Sequence, residues 1–218
     1  VRYSSDHKLH TRVRILDAAS QAFRERGVAE TGIHDVMRRA GLTHGGFYAH
    51  FRDKAELVAE ACAAGFAEAV PNLARIAAVS SVEARVRLLV ESYLSVRHRD
   101  NRGSGCLIVA VAADMARLPG PARASYSAGL SLHLRRLATA LQLSKDPVEN
   151  YERVTHLMSS LVGALLFARA TEDPAESGAI LRAARRRLRA EFTPASTRTP
   201  AAQAPKFISP SHDLLRSY

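Results

Sequence analysis

Fifteen consecutive residues, Ala40 to Lys54, concentrate hydrogen-bonding chemistry at helical spacing. Thr43, His44, Tyr48, His50 and Lys54 supply hydroxyl, imidazole, phenol and ammonium groups, the donors that suit phosphate oxygens and base edges. Gly41 can take the positive φ of a tight turn, and small Ala40 lets two short helices cross closely. Leu42 plugs the turn and Thr43 is a suitable N-cap for the next helix. Phe47 and Phe51, four residues apart, form one buried stripe, with Thr43, His44, Gly45, Tyr48 and His50 opposite. Gly45 and Gly46 cost a helix about 1 kcal/mol each relative to alanine. Close approach of the backbone to a nucleic-acid duplex would compensate. A corner inside a helical core is the plainer reading, but it does not need an outer face of Thr, His and Tyr beside Lys54.

The elements that hold this stretch are helical. A polar arm, residues 1–10, leads into a first amphipathic helix with Ile15, Ala18, Ala19, Ala22 and Phe23 inward and Arg12, Arg14, Arg24 and Arg26 on the other faces. Gly27 ends it. A short second helix spans about Ile33 to Arg39, a third about Thr43 to Phe51, and a fourth starts near Lys54. Pro71 and Val79-Ser80-Ser81 mark a boundary before a fifth helix, about Val82 to Arg97. Cys106 opens a sixth that runs to about Arg117, and Leu118-Pro-Gly-Pro breaks the chain. A seventh (Ala122 to Leu141), an eighth (Pro147 to Thr171) and a ninth (Pro174 to Phe192) complete the helical part. Residues 193–218, rich in Pro, Ser, Thr and Ala without periodicity, read as a flexible tail. The fold class is therefore all-α, about nine helices: a helix-turn-helix domain at 11–53 and a larger helical domain at 54–192.

Composition narrows the function. Of 218 residues, 47% are hydrophobic and 24% charged, as in a soluble globular protein, and the net charge of +10 favours anionic partners. Two cysteines, Cys62 and Cys106, make no disulfide framework, so a reducing cytoplasm is the expected location. The first eight residues hold no apolar stretch that reads as a signal peptide. The run Val154 to Ala168 is too short and polar to span a bilayer. No nucleophile elbow, P-loop, dinucleotide fingerprint or His-Glu-x-x-His is present, and the nine histidines lack metal-ligand spacing. No enzyme, cofactor, metal or membrane partner is expected. The alternative from a different class is a helical ligand carrier or enzyme that binds no DNA.

From Thr11 to Leu57, and most densely in Thr31-Gly-Ile-His-Asp-Val-Met-Arg-Arg-Ala-Gly-Leu-Thr-His-Gly-Gly-Phe-Tyr-Ala-His-Phe-Arg-Asp-Lys-Ala-Glu-Leu, the chain resembles the N-terminal signature of the TetR family of bacterial repressors. It departs at Gly32, where Ser or Val is commoner, and at Ala55, where Glu is commoner. The resemblance implies that Thr43, His44, Gly45 and Gly46 face base edges of an operator, while Tyr48, His50, Lys54 and Thr31 hold phosphates. It implies a homodimer joined through the last two helices, whose apolar stripes comprise Val154, Leu157, Met158, Leu161 and Leu165, and Ile180, Leu181, Ala184 and Leu188. It also implies a small-molecule effector pocket, with Phe66, Tyr93, Leu94, Met115, Tyr126, Leu130, His133 and Phe167 as candidate lining. The polar handles Tyr93, Tyr126 and His133 in such a lining suit a hydrophobic or aromatic effector. Gly105-Cys106-Leu107 resembles the opening of the sixth helix in a branch that includes electrophile-responsive members. Cys106 is thus a pocket residue and a candidate sensor, against the plainer role of a small buried hydrophobe.

Overall fold

The structure is a computed structural model that describes residues 5–192; the expected tail at 193–218 lies outside the described residues. Ten α-helices and one 3₁₀ helix make up its regular structure: α1 (Ser5–Arg26), α2 (Ile33–Arg39), the 3₁₀ helix (His44–Ala49), α3 (Lys54–Ala67), α4 (Val70–Ala77), α5 (Val82–Tyr93), α6 (Val96–Asp100), α7 (Leu107–Arg117), α8 (Pro121–Leu141), α9 (Pro147–Ala170) and α10 (Pro174–Phe192).

Most boundaries follow local chemistry. Gly27 and Gly41, at φ 82° and 68°, end α1 and α2 in the left-handed region. Asp53, Ser81, Ser95 and Asp146 each accept a backbone N–H three residues on, so α3, α5, α6 and α9 start with capped N-termini. Pro121 and Pro147 sit in first turns, where a missing N–H costs nothing.

Four boundaries differ from the sequence reading. Helix α1 already begins at Ser5, inside the segment read as an arm. Pro71, read as a boundary before the fifth helix, lies in the first turn of a further helix, α4. The helix expected to reach Arg97 stops at Tyr93, because Ser95 caps α6 through His98 N–H at 3.1 Å. The third helix is 3₁₀ rather than α, with Gly46 N–H on Thr43 O at 3.1 Å and His50 N–H on Phe47 O at 2.9 Å. Adjacent glycines make a longer α-helical run entropically costly, and a short 3₁₀ turn asks less of them.

A single hydrophobic cluster runs from Ile15 to Phe192. Helix α1 packs on α3 and α7, and α2 packs on α1 and the 3₁₀ helix, so the helix-turn-helix joins the rest of the chain chiefly through α1. Helix α8 lies against α3 at Gly129, where an added Cβ would collide with the Phe66 ring. That close approach sets the Phe66 ring on the wall of an internal cavity.

Candidate nucleic-acid interface and internal cavity

Phe47 and Phe51 are buried and stack at 5.5 Å between ring centroids. That anchor turns the other side of the 3₁₀ helix outward. Thr43, His44, Gly45 and Tyr48 are exposed, and Lys54 is half-buried. Tyr48, 62% exposed, lies edge-on to Phe47 at 5.2 Å and to His44 at 6.2 Å. Arg12 of α1 holds the segment from behind: its guanidinium lies 4.1 Å over the Phe51 ring, donates to His50 O and pairs with Glu60. Burial, with Lys8, Arg12 and His7 nearby, holds the half-buried His50 imidazole below its ordinary range, so it meets the surface as a neutral ring. The packing does not require the paired glycines. A Cβ on Gly45 would meet nothing within 4 Å, and one on Gly46 would meet only ordinary contacts at 3.6 and 3.7 Å.

Behind this surface, α1 and α3 through α9 line a cavity of about 310 Å³ that opens to solvent beside the exposed Glu68, Asn72 and Arg75. Its apolar wall includes Phe66, Leu89, Leu107 and Ile108, and its polar groups include Arg24, Tyr93, His98, Cys106 and His133. The His98 ring is fixed in one tautomer. Its Nδ1 sits 2.7 Å from Tyr93 O and must donate, while its Nε2 accepts from Cys106 N–H at 2.9 Å. Burial lowers the pKa of both His98 and His133, and it raises that of the Tyr93 phenol, with Cys106 adding to the rise. The Tyr93 hydroxyl is buried without a hydrogen-bond partner. Cys106 caps α7. At the far end of α7, Asp114 Oδ2 accepts Val28 N–H at 2.7 Å in the turn between α1 and α2. One helix therefore joins the cavity wall to the helix-turn-helix.

Residues 15–61 match the family model for bacterial regulatory proteins of the tetR family, and residues 82–184 match that for the tetracyclin repressor-like C-terminal domain. The chain belongs to the TetR family. It combines the N-terminal domain of this family of bacterial regulatory proteins with a tetracyclin repressor-like C-terminal domain. The HTH-type regulator TtgR of Pseudomonas putida is 47% identical over 58 residues, 27% of this chain and 28% of that protein. AcrR of Shigella flexneri is 37% identical over 59 residues, 27% of each chain. The matches thus span under a third of these relatives. Among solved structures, the reduced form of NemR from E. coli has a TM-score of 0.68 at 21% identity, covering 82% of this chain and 95% of that one. A TetR regulator from Legionella pneumophila has a TM-score of 0.71 at 19% identity, covering 88% and 100%. These two likenesses concern the fold alone.

Against this TetR architecture, several expected site residues move. Thr31 is fully buried, and its hydroxyl donates to Gly27 O at 2.7 Å, so its side chain braces the α1–α2 turn instead of meeting phosphate. Of the candidate lining, Phe66, Tyr93, Cys106 and His133 border the cavity. Leu94 and Met115 are packed core, Tyr126 stands behind Phe66 with ring centroids 5.6 Å apart, and Leu130 is half-buried away from the cavity. Phe167 is 65% exposed on the outer face of α9. The stripes expected at a dimer seam are instead intramolecular core. Val154, Leu157, Met158, Leu161, Leu165, Leu181 and Leu188 are buried within the single chain, while Ile180 and Ala184 are half-buried. Those apolar side chains find partners among α5, α8, α9 and α10 before any second copy arrives. Arg24, placed on an outer face by sequence, is buried and borders the cavity. Its signal was Ser20, one turn earlier and also buried, beside the stripe of Ala19 and Phe23.

Proposed function

We propose that this regulator is a cytoplasmic repressor that binds a palindromic double-stranded operator as a homodimer and is released by a small hydrophobic or electrophilic effector. One observation carries it: an exposed set of hydrogen-bonding side chains, Thr43 to Tyr48, is anchored on buried phenylalanines and joined through α7 to an internal cavity. Thr43, His44 and the backbone at Gly45 and Gly46 face base edges, and Tyr48, His50 and Lys54 hold phosphate. Two copies place two such segments one helical turn of DNA apart, or a multiple of it. The surface that supports dimerisation is the outward face of α9, where Leu166 and Phe167 are exposed and a Cβ on Gly163 would meet nothing within 4 Å. A ligand filling the cavity shifts α7, and Asp114 carries that shift to Val28, changing the spacing of the two readers. Fluorescence anisotropy on the DNA upstream of its own gene tests the reading. Salt-sensitive, sequence-specific binding of a dimer is expected, and binding that no salt or sequence change alters would overturn it.

An electrophile acting at Cys106 is favoured by the position of that residue, on the cavity wall at the start of α7. Operator release by an electrophile that persists in Cys106→Ser would remove this reading and leave the hydrophobic effector.

A further inference from the structure

Arg24 is the one charged residue that is buried among the described residues, with its side chain 6% exposed. It leaves α1, the first helix of the DNA-binding unit, and ends on the cavity wall against α3. A Cβ on Gly65 would lie 3.1 Å from its Nη2, so glycine there makes room for the guanidinium. Its ion-pair partner, Glu68, is exposed, at 2.5 Å from Nη2. Its Nε is buried and has no hydrogen-bond partner. A guanidinium has five N–H donors arranged to grip a carboxylate side-on. This one commits Nη2 to a glutamate that solvent can draw away, and leaves Nε unmatched.

The rest of the cavity agrees on sign. Arg24, Arg75 and Glu68 are its ionised lining, one positive charge in excess, while His98 and His133 are disfavoured from charging by burial. A cationic ligand would meet two arginines, and a neutral one could offer Arg24 at most an uncharged acceptor, a weaker match than a carboxylate that takes Nε and Nη2 side-on. Building on the effector reading of this cavity, we infer that its ligand is an amphipathic organic acid whose carboxylate docks on Arg24 in place of Glu68, with its apolar body along Phe66, Leu89, Leu107 and Ile108. The exchange has a direct consequence. Arg24 ties α1 to the end of α3 through Glu68, so a ligand that takes over the guanidinium loosens the tie between the DNA-binding unit and the helical domain behind it. The charge of the effector then acts on α1 without passing through α7.

The test compares two probes of equal length, 4-phenylbutyrate and 4-phenylbutan-1-ol, by calorimetric titration of the full chain and by release of bound operator. The acid should bind about tenfold more tightly than the alcohol, the scale of one charge-assisted hydrogen-bond pair. Arg24→Gln should bring the acid down to the level of the alcohol. Because that variant carries a change in the core, Glu68→Gln supplies the independent arm: it frees Arg24 from the surface side and should tighten the acid severalfold while leaving the alcohol unchanged. Equal affinities for the two probes, or a Glu68→Gln variant that binds the acid no better, would overturn the inference. If the alcohol alone binds and releases operator, the effector cavity stands and the acid specificity falls. If neither probe binds and operator release is indifferent to both, the cavity reading falls with it.

Discussion

The DNA-facing segment and the cavity solve opposite problems with similar residues. The first puts Thr, His and Tyr on the outside of one short run of chain, where water reaches Thr43, His44 and Tyr48 until a duplex replaces it, and only His50 Nδ1 is buried without a partner. The second turns Arg24, Tyr93, His98, Cys106 and His133 inward, collecting them from α1, α5, α6, the start of α7 and α8. Outside, the cost is met by apolar anchors such as Phe47 and Phe51. Inside, polar groups must find partners, and Arg24 Nε and Tyr93 Oη have none. Buried groups left unmatched lower stability by about 1–3 kcal/mol each, which a ligand that matched them would restore. The contrast teaches that the DNA-facing segment leaves one polar atom unmatched, His50 Nδ1, at its buried edge, whereas the cavity leaves two on a wall that a ligand could complete.

The anchors offer the hardest way to break this contrast. Phe47→Ala should cost about 3–5 kcal/mol, because the ring is fully buried between Phe51 and the core. Urea unfolding should show it as a lower midpoint, and an unchanged midpoint would mean the segment is not anchored as described. Next in size is Phe167→Glu on the outer face of α9. Most of the ring is exposed, so the monomer should keep nearly all of its stability while sedimentation shows loss of the dimer and operator affinity falls by more than tenfold, given that two readers share one site. A dimer that survives this charge would move the interface elsewhere. Smaller again is the pair Tyr48→Phe and His44→Ala, each expected to cost about 1–3 kcal/mol in DNA binding. Tyr48→Phe should weaken all sequences alike, and His44→Ala should change the preferred sequence. If sequence selection returns the same profile for both, the split between phosphate and base contacts is wrong.

Legibility in the sequence obeys the same division. The turn at Gly41, the stack of Phe47 on Phe51 and the outward faces of His44 and Tyr48 depend on neighbours within one or two helical turns, so spacing alone reveals them. The cavity depends on contacts between residues far apart in the chain, and there spacing misleads. Tyr93, Cys106 and His133 reach it, but Leu94, next to Tyr93, points into the core instead. Apolar periodicity on α9 is genuine, yet it marks the side that packs on α8 and α10; the opposite side, with Leu166 and Phe167, looks irregular and is the exposed one. Arg24 was hidden by its own residue type, since an arginine beside an apolar stripe ordinarily snorkels to water. Thr31 was misplaced because a family signature fixes position along the chain and not the direction of a hydroxyl.

Gly45→Ala probes the outer surface more gently. The added methyl meets nothing in the chain, so the fold should gain up to about 1 kcal/mol while operator affinity falls. Equal affinity with higher stability would mean that no duplex approaches this backbone closely.

The gentlest probe acts on the cavity wall, through proton binding at His98. Its Nδ1–H donates to Tyr93 O and its Nε2 accepts from Cys106 N–H, so a second proton on Nε2 would face a donor. Burial lowers its pKa below the ordinary 6.5, and the proximity of Arg169 lowers it further against the opposing pull of the Tyr93 carbonyl. As pH falls through 6.5 the unfolded chain takes up this proton and the folded chain does not. Stability should therefore be full above pH 6.5 and decline below it, at a slope of up to about 1.4 kcal/mol per pH unit for this one group. His133 and His50 shift in the same direction and steepen the decline. Denaturation curves at stepped pH should show His98→Gln with a shallower slope whatever its starting stability. A merely structural loss would lower the whole curve and leave the slope unchanged, and that outcome would show that the cavity wall tolerates the charge.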